Sequence, residues 1–436
     1  MTGKQRTVFF ILGVLLVVSR LWIAFPVSWA EMPLPTDWRT LEGDEHSYVM
    51  PARNLLAGRG YSSSVEAPYE PSILRTPTYP LLLTLLFGLF GARRGVVVTA
   101  NIVFDVATGF LLFAIARRFM STRWALGCLG LVVLLAPWTR HIHAARTESI
   151  ATFLFVLVLW LATGALQRAR HWLALGLAVG LLIMCRPNQA VLAIVAVAWA
   201  CSPWAAGPRA PLRVRVAALL LSMAIPWGPW IVRNAIVFDR FVPLAPAGGV
   251  AIWLSNWYGG GGGYWSVDRR ADGTIERVIP DTAFVSRAER DLITANLDRY
   301  IEEQFRRGGP GVFEPNDVFT DVGVQRIRAD PGNWLAVGAG RTGRMLYHHP
   351  FWPEQWIYHL GRLRLPFAIL AVLTTLMVLR RPAWHFPLLS FWGTWAVHFP
   401  THGEPRYLVP AYGVVFLLVT MGASIGVEKL RGVIRR

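Results

Sequence analysis

Apolar residues in this chain are gathered into long blocks. About ten blocks of roughly 17–23 residues carry few charges, which is the length and composition that can cross the hydrocarbon core of a membrane. Of the 436 residues, 54% are apolar and only 16% are charged. The blocks exclude a cytosolic enzyme, a secreted disulfide scaffold and a disordered chain. They predict an all-α polytopic membrane protein with about ten transmembrane helices, together with interfacial helices and a smaller extracytoplasmic segment.

The distribution of basic residues predicts how these helices are oriented. The predicted spans are 8–30, 95–116, 124–138, 149–166, 172–185, 189–204, 214–231, 362–379, 384–399 and 407–427. The apolar stretch 79–91 is too short to cross comfortably, so we interpret it as an interfacial or re-entrant helix. The basic turns then fall on one side, as the positive-inside rule requires. This topology predicts a multi-pass protein of the inner (cytoplasmic) membrane, with both termini in the cytoplasm and the large loops on the periplasmic or exterior side.

The topology divides the chain into three parts. These are a transmembrane core at 1–231 with a first outer loop at 31–94, an extracytoplasmic cap region at 232–360, and the C-terminal transmembrane helices at 361–436. Loops longer than about 15 residues usually carry function or structure of their own. In the cap region we expect a helix within 286–307 and a mobile rim loop at the glycine run Gly259–Gly263.

The net charge of +17 does not indicate a nucleic-acid partner. No arginine-rich run with interleaved aromatic residues occurs outside the apolar blocks, and such a run would be expected of a nucleic-acid-binding surface. Positive residues instead collect at the cytoplasmic ends of membrane helices and near anionic headgroups. The expected partners of the basic surface are therefore membrane lipids.

The first outer loop contains the clearest polar motif. Helical spacing of its apolar residues predicts an amphipathic helix that begins near Glu45 and stops at Gly58. Asp44 can cap this helix, with Glu45 complementing the helix dipole. A carboxylate just above the membrane can equally face the cavity below it, so both interpretations stay open.

A second carboxylate and four arginines lie at predicted outer ends of spans. Glu148 either complements the dipole of a helix capped by Thr147 or carries a function. Arginine offers a planar fork that suits an anionic phosphate, although interfacial arginines also anchor helices at headgroups. The arginines are Arg75, Arg186, Arg233 and Arg406.

Several motifs occur together and in order along the chain. They are DEHSYVMPARNLLAGRGYS from Asp44, Arg75-Thr76-Pro77-Thr78-Tyr79-Pro80, Pro229-Trp230-Ile231-Val232-Arg233-Asn234, and Glu404-Pro405-Arg406-Tyr407. Together they resemble the C-class membrane glycosyltransferases (GT-C), in the group that contains protein O-mannosyltransferases and the lipid A aminoarabinose transferase. Each motif alone is weak, and the specificity comes from their order.

The resemblance implies a function and a set of site residues. Members transfer a sugar from a polyprenyl phosphate, with inversion, to an acceptor on the outer face. By resemblance, Asp44 is the catalytic base and Glu45 supports it, whereas Glu148 orients the acceptor or joins Asp44 in holding a divalent cation. The arginines would bind the donor phosphate. Contacts to sugar or acceptor are expected from Tyr48, Tyr407 and Glu404, although an interfacial belt also explains Tyr407.

Further partners and competing functions follow from the same pattern. No soluble cofactor is required, a divalent cation is possible, and the acceptor is a glycan, lipid or protein that the sequence does not identify. The sequence has no Walker motif, no dinucleotide fingerprint and no Asp-x-Asp triplet. The alternatives are a transporter or flippase of lipid-linked sugars and an inactive scaffold of the same superfamily.

Overall fold

The structure is a computed structural model. It describes residues 1–24, 43–164, 166, 168–204, 210–256, 266–269, 275–278, 286–303, 309–347, 364–401, 403 and 405–434. The predicted rim loop Gly259–Gly263 and the predicted contact residue Glu404 lie outside these residues.

Most of the described residues are helical, as predicted. The helices of the core and first outer loop are α1 (Gly3–Ala24), α2 (His46–Leu56), α3 (Thr78–Phe90), α4 (Arg94–Phe119), α5 (Thr122–Leu135), α6 (Glu148–Ala162), α7 (Ala169–Ile183), α8 (Val191–Cys201) and α9 (Leu212–Phe238). Those that follow are α10 (Gly248–Ser255), α11 (Arg287–Glu302), α12 (Phe313–Ala329), α13 (Pro331–Tyr347), α14 (Arg364–Val378), α15 (His385–Ala396) and α16 (Tyr412–Ile434). An antiparallel strand pair, β1 (Ser266–Arg269) and β2 (Ile275–Val278), adds a small sheet that the all-α prediction lacks.

Each of the ten predicted spans overlaps a helix of the structure. Within the described residues, four helices have the length and composition to cross a membrane: Gly3–Ala24, Arg94–Phe119, Leu212–Phe238 and Arg406–Arg431. The helices at the other predicted spans are shorter. Helix α3 coincides with the stretch 79–91, and its 13 residues fall short of a span. Ten crossings, and the side to which each loop belongs, therefore stay predictions.

Helices α7 and α9 pack backbone to backbone through two glycines of α7. Gly176 and Gly180 are four residues apart on one face of the helix, the small-xxx-small pattern that lets membrane helices approach closely. A Cβ atom at Gly180 would lie only 2.6 Å from the carbonyl oxygen of Met223. This contact fixes the position of α9 relative to α7, and Arg233 lies near the C-terminal end of α9.

A buried ion pair joins α1, α4 and α5. Arg20 Nε lies 2.8 Å from Asp105 Oδ2, and both side chains are 1% exposed. The remaining guanidinium donors bond the carbonyls of Val132 and Val133, and Trp138 Nε1 donates to Asp105 Oδ1. Pairing makes these charges tolerable in a low-dielectric interior.

Asn101 lies four residues before Asp105 in α4 and bonds the loop before α6. Its side-chain amide donates to the carbonyls of Ile142 and Ala144, at 3.1 Å each. Asn101 therefore holds the turn that precedes α6, while the partners of Asp105 are Arg20 and Trp138.

The first outer loop forms the predicted amphipathic helix. Helix α2 follows a short 3-10 turn at Gly43–Glu45 and ends before Gly58, whose φ of 70° is available to glycine at little cost. Glu45 occupies the N-cap position, and no side chain caps the helix. The capping interpretation of Asp44 is therefore wrong, and its carboxylate is directed elsewhere.

The cap region is attached to the core by a second apolar cluster. Tyr300 of α11 and Phe319 of α12 pack in one buried cluster with Ile73 and Leu74 of the first loop and with Trp230 of α9. Helix α11 confirms the predicted helix within 286–307, and Ser286 caps it by accepting from the Glu289 N–H. The cluster brings the first loop, α9 and the cap region together.

We expect Gly180→Leu to lower stability by about 1–3 kcal/mol or more, because the added side chain must push α9 away from α7. Gly130→Ala in α5 is the matched control, since a Cβ atom there meets nothing within 4 Å. Thermal unfolding of both variants in detergent checks this. An unchanged midpoint for Gly180→Leu would contradict the close packing.

We expect Asp105→Leu to cost about 3–5 kcal/mol, because Arg20 would be left buried without its counter-charge. Arg20→Met combined with Asp105→Leu should recover most of the loss, since replacing both partners by apolar groups removes the uncompensated charge. Asp317→Ala, which breaks an exposed pair with Arg240, is the control. The measurement is again thermal unfolding, and equal losses in the single and double variants would argue against the pair.

Candidate active site

Asp44 lies between two arginines that are distant from it in sequence. Its Oδ1 is 2.6 Å from Arg75 Nη2, and its Oδ2 is 3.4 Å from Arg406 Nη1. The side chains of Asp44 and Arg75 are each 22% exposed, so the cluster of Asp44 and its two arginines is mostly buried but still accessible to solvent. Burial raises the pKa of Asp44, but the charges of Arg75 and Arg406 outweigh it and hold that pKa below its usual range. Asp44 is therefore ionised at neutral pH.

Arg75 is held in place on several sides. Its Nε donates to Ser47 Oγ at 2.8 Å, and its guanidinium lies 5.0 Å from the ring centre of Tyr48. The hydroxyl of Tyr61 donates to the Arg75 carbonyl at 2.8 Å. Because α2 supplies Ser47 and Tyr48, the helix that follows Asp44 also orients the arginine that neutralises it.

Glu45 points away from Asp44 and anchors the loop before α6. Its Oε1 lies 2.8 Å from Arg94 Nη1 and accepts from the Ala145 N–H at 2.6 Å. Arg94 also donates to the His143 carbonyl at 2.8 Å. Glu45 is 1% exposed, so its contacts are those of a positioning residue.

Glu148 forms the second carboxylate of the site. Its Oε1 accepts from Arg186 Nη2 at 2.8 Å, and the Nε of the same arginine donates to Thr147 Oγ1 at 3.0 Å. The other oxygen, Oε2, is buried and has no hydrogen-bond partner among the described residues. Thr147 occupies the N-cap position of α6 without bonding the helix backbone by its side chain. Within the part of the chain that the structure describes, Glu148 therefore keeps one carboxylate oxygen available as an acceptor.

His141 lies in the turn beside this carboxylate. Burial lowers the pKa of His141 to about 4, although the charge of Glu148 opposes the shift. The imidazole is therefore neutral at physiological pH. Its Nδ1 lies 3.3 Å from Arg146 Nη1.

The four predicted arginines fall into different settings. Arg75 and Arg406 flank Asp44, whereas Arg186 is occupied by Glu148 and Thr147 and also reaches the Arg406 carbonyl at 3.4 Å. Arg233 is half-buried among aromatic rings, with its guanidinium 4.9 Å from the ring centre of Phe238 and 5.1 Å from that of Trp230. Within the described ranges, Arg233 has no carboxylate partner. The structure thus brings Arg75, Arg186 and Arg406 together and leaves Arg233 beyond Tyr61.

Two of the predicted contact residues line the same region. The ring of Tyr48 packs edge-on against Tyr79 at 5.3 Å between centroids. Tyr407 stacks on His398 at 5.2 Å, and its ring centre is 5.5 Å from the Arg406 guanidinium. Tyr407 therefore lies against His398 and Arg406 and is partly exposed.

Four further residues at the site were missed by reasoning from the sequence. Arg94 pairs with Glu45, and the charge of Arg146 lowers the pKa of both Asp44 and Glu148. Burial raises the pKa of Tyr300 to about 12, and the charges of Arg75 and Asp44 act on its phenol. The hydroxyl of Tyr79 is buried and has no hydrogen-bond partner within the described ranges. Only Tyr79 lies in a recognised motif, whereas the other three reach the site through tertiary packing.

The donor set offers a poor fit to a divalent cation. Both oxygens of Asp44 face guanidinium groups, and Glu148 shares one oxygen with Arg186. In the part of the chain that the structure describes, no group of three His, Cys, Asp or Glu residues could hold a metal ion. A hard cation prefers several oxygen ligands and is repelled by neighbouring arginines.

The chain shares its fold with a solved archaeal glycosyltransferase. It matches the oligosaccharyltransferase AglB from Archaeoglobus fulgidus in complex with an inhibitory peptide and a dolichol-phosphate, at 12% identity and a TM-score of 0.50, over 98% of this chain and 51% of that chain. It therefore spans about half the length of AglB. ArnT from Cupriavidus metallidurans bound to undecaprenyl phosphate aligns at 15% identity and a TM-score of 0.39, over 97% and 77%. No curated protein matches the chain.

The likeness to AglB extends over nearly the whole of this chain and shows a shared fold. More particularly, the family model of dolichyl-phosphate-mannose-protein mannosyltransferase matches residues 74–230, which include Arg75, Glu148 and Arg186. The resemblance drawn from the sequence motifs is thereby confirmed.

We expect Glu45→Gln to lower stability by about 1–3 kcal/mol, because a hydrogen-bonded charge pair with Arg94 is lost in a buried setting. Asp44→Asn should cost less than half as much, since its partners are partly exposed. Thermal unfolding of the two variants side by side measures the difference. A larger loss for Asp44→Asn would reverse the roles assigned to the two carboxylates.

Proposed function

We propose that this protein transfers a sugar from a polyprenyl-phosphate donor to an acceptor at the outer face of the inner membrane, with inversion at the anomeric carbon. The observation that carries the proposal is the Asp44 carboxylate set between Arg75 and Arg406, in the motif that resembles the first loop of the family. One carboxylate and fixed positive charges are what such a transfer needs. The donors named with the structural relatives, dolichol-phosphate and undecaprenyl phosphate, belong to the same chemical class.

Asp44 acts as the general base. It takes the proton of the acceptor hydroxyl or amine, and the acceptor atom attacks the anomeric carbon from the face opposite the phosphate. The bond between that carbon and the phosphate oxygen breaks, and its electron pair stays on the phosphate. Because phosphate leaves as an anion, no second carboxyl group is needed as general acid, unlike in most glycosidases.

The arginines hold and stabilise the leaving phosphate. Arg75 and Arg406 present guanidinium groups beside the base, and Arg233 adds a cation within an aromatic surround on α9. Fixed donors directed at a developing anion stabilise the transition state. Arg186 contributes indirectly, because its fork is used on Glu148 and Thr147.

Glu148 orients the acceptor. Its buried Oε2 has no hydrogen-bond partner in the described part of the chain, and Glu148 lies near the neutral His141, so Oε2 can accept a hydrogen bond from an acceptor hydroxyl or amine. Tyr48 and Tyr407 lie beside the arginines and offer ring faces to the sugar or to the head of the lipid. The cap region supplies Tyr300 to the same space, which makes it the natural source of acceptor specificity.

We expect Asp44→Asn to reduce transfer by at least about a hundredfold, since general base catalysis contributes roughly that much or more. The assay uses purified protein, a polyprenyl-phosphate sugar and an envelope extract as acceptor, with mass spectrometry of the products. Asp317→Asn, in the exposed pair with Arg240, is the matched control and should retain activity. Full transfer by folded Asp44→Asn would exclude Asp44 as the base.

The transfer assay, a transport assay in vesicles and the glycans of a deletion strain separate the competing functions. A transporter or flippase would move a lipid-linked sugar across vesicles without forming a glycosylated product. An inactive scaffold would do neither. Loss of a hexose, pentose or amino-sugar substituent from the envelope of a deletion strain would identify the sugar and acceptor of the enzyme.

A further inference from the structure

The two arginines proposed to hold the donor phosphate are already engaged by the base. Arg75 directs one edge of its fork, Nε and Nη2, at Ser47 and Asp44, with donor–acceptor distances of 2.8 and 2.6 Å. Arg406 reaches the other oxygen of Asp44 at 3.4 Å. An edge of this kind lets arginine bind a carboxylate or phosphate through two parallel bonds. A phosphate that binds there must displace Asp44.

We infer that Asp44 and the donor phosphate compete for Arg75 and Arg406, so that donor binding releases the base for its work. The inference rests on the proposed function, because it takes the lipid phosphate to bind at these arginines. Without donor, the arginines stabilise the Asp44 carboxylate and make it a poor proton acceptor. With donor bound, the phosphate takes over the guanidinium groups, and Asp44 gains affinity for the proton of the acceptor.

The arrangement allows this exchange without rebuilding the fold. Asp44, Arg75 and Arg406 are partly exposed, at 22%, 22% and 17%, so a phosphate can approach from the open side. Arg75 is tethered through its carbonyl to Tyr61 and through its side chain to Ser47, which limits how far it moves. By contrast, Glu45 and Glu148 are buried with their own arginines, so the release is confined to Asp44.

The exchange also orders the steps after transfer. Once the acceptor proton has moved to Asp44, the carboxyl group is neutral and no longer competes with the phosphate product. Loss of that proton to water restores the carboxylate, which pairs again with Arg75 and Arg406 and displaces the polyprenyl phosphate. Donor therefore binds before the acceptor is activated, and product release follows deprotonation.

The test measures binding of undecaprenyl monophosphate to purified protein in detergent micelles, by microscale thermophoresis and without any sugar transfer. We expect Asp44→Asn to tighten the dissociation constant about fivefold to twentyfold, because the neutral amide pairs weakly with the guanidinium groups. Asp317→Asn, which removes a carboxylate from the exposed Arg240 pair, should leave the constant unchanged. If Asp44 had a merely structural role, Asp44→Asn would weaken binding of the lipid phosphate.

A double-mutant cycle separates competition from simple charge removal. In an Arg75→Gln background, Asp44→Asn should tighten binding about twofold or less, since the guanidinium group for which carboxylate and phosphate compete is gone. If the two substitutions acted independently, their effects on the dissociation constant would multiply. The inference is overturned if Asp44→Asn tightens binding equally in both backgrounds, or if it does not tighten binding in the protein that retains Arg75.

Failure of the inference can be told from failure of the proposed function. If Arg75→Gln leaves the affinity for the lipid phosphate unchanged, the phosphate does not bind at this arginine and the donor site is wrong. If Arg75→Gln weakens binding at least tenfold while Asp44→Asn does not tighten it, the donor site stands and only the competition is refuted.

Discussion

The site depends on pairing scarce carboxylates with arginines in a sheltered interior. Asp44 pairs with Arg75 and Arg406, and Glu148 pairs with Arg186. A carboxylate removed from water without a partner would shift its pKa or destabilise the fold, so each pair makes the position of its carboxylate tolerable. The pairs connect elements that are far apart in sequence. They join the first loop to the segment before α16 through Asp44 and Arg406, and the start of α6 to the turn before α8 through Glu148 and Arg186.

The apolar scaffold makes these pairs possible. Close packing at Gly176 and Gly180 places α9 against α7, and the Arg20–Asp105 pair locks α1 to the helices behind the site. The second apolar cluster then brings Tyr300 of the cap region onto the first loop. Since buried packing is dense and yields little, the carboxylates and arginines are held at bonding distance before any substrate arrives. Preorganisation of this kind is what electrostatic catalysis requires.

The sequence predicted some parts of this arrangement better than others. Apolar blocks located a helix at each proposed span, and helical spacing of apolar residues located α2. The motifs pointed to Asp44, Arg75 and Arg406, which do meet. Capping rules were wrong for Asp44, since a charge partner from another element competes better for a carboxylate than a helix N–H does. No local rule identifies the partner of Asp105, because Arg20 lies 85 residues away in the chain.

What the sequence alone determined is the class of the molecule: long apolar blocks exclude a soluble fold, and the ordered motifs indicate a C-class glycosyltransferase. What only the tertiary structure decided is the role of each polar residue. Glu45 and Asp44 are neighbours in the chain, yet one anchors a turn through Arg94 and the other faces the open site. Pairing between elements depends on how helices pack in three dimensions. Residues as far apart as Asp44 and Arg406 therefore acquire their chemistry from contacts that no local sequence pattern encodes.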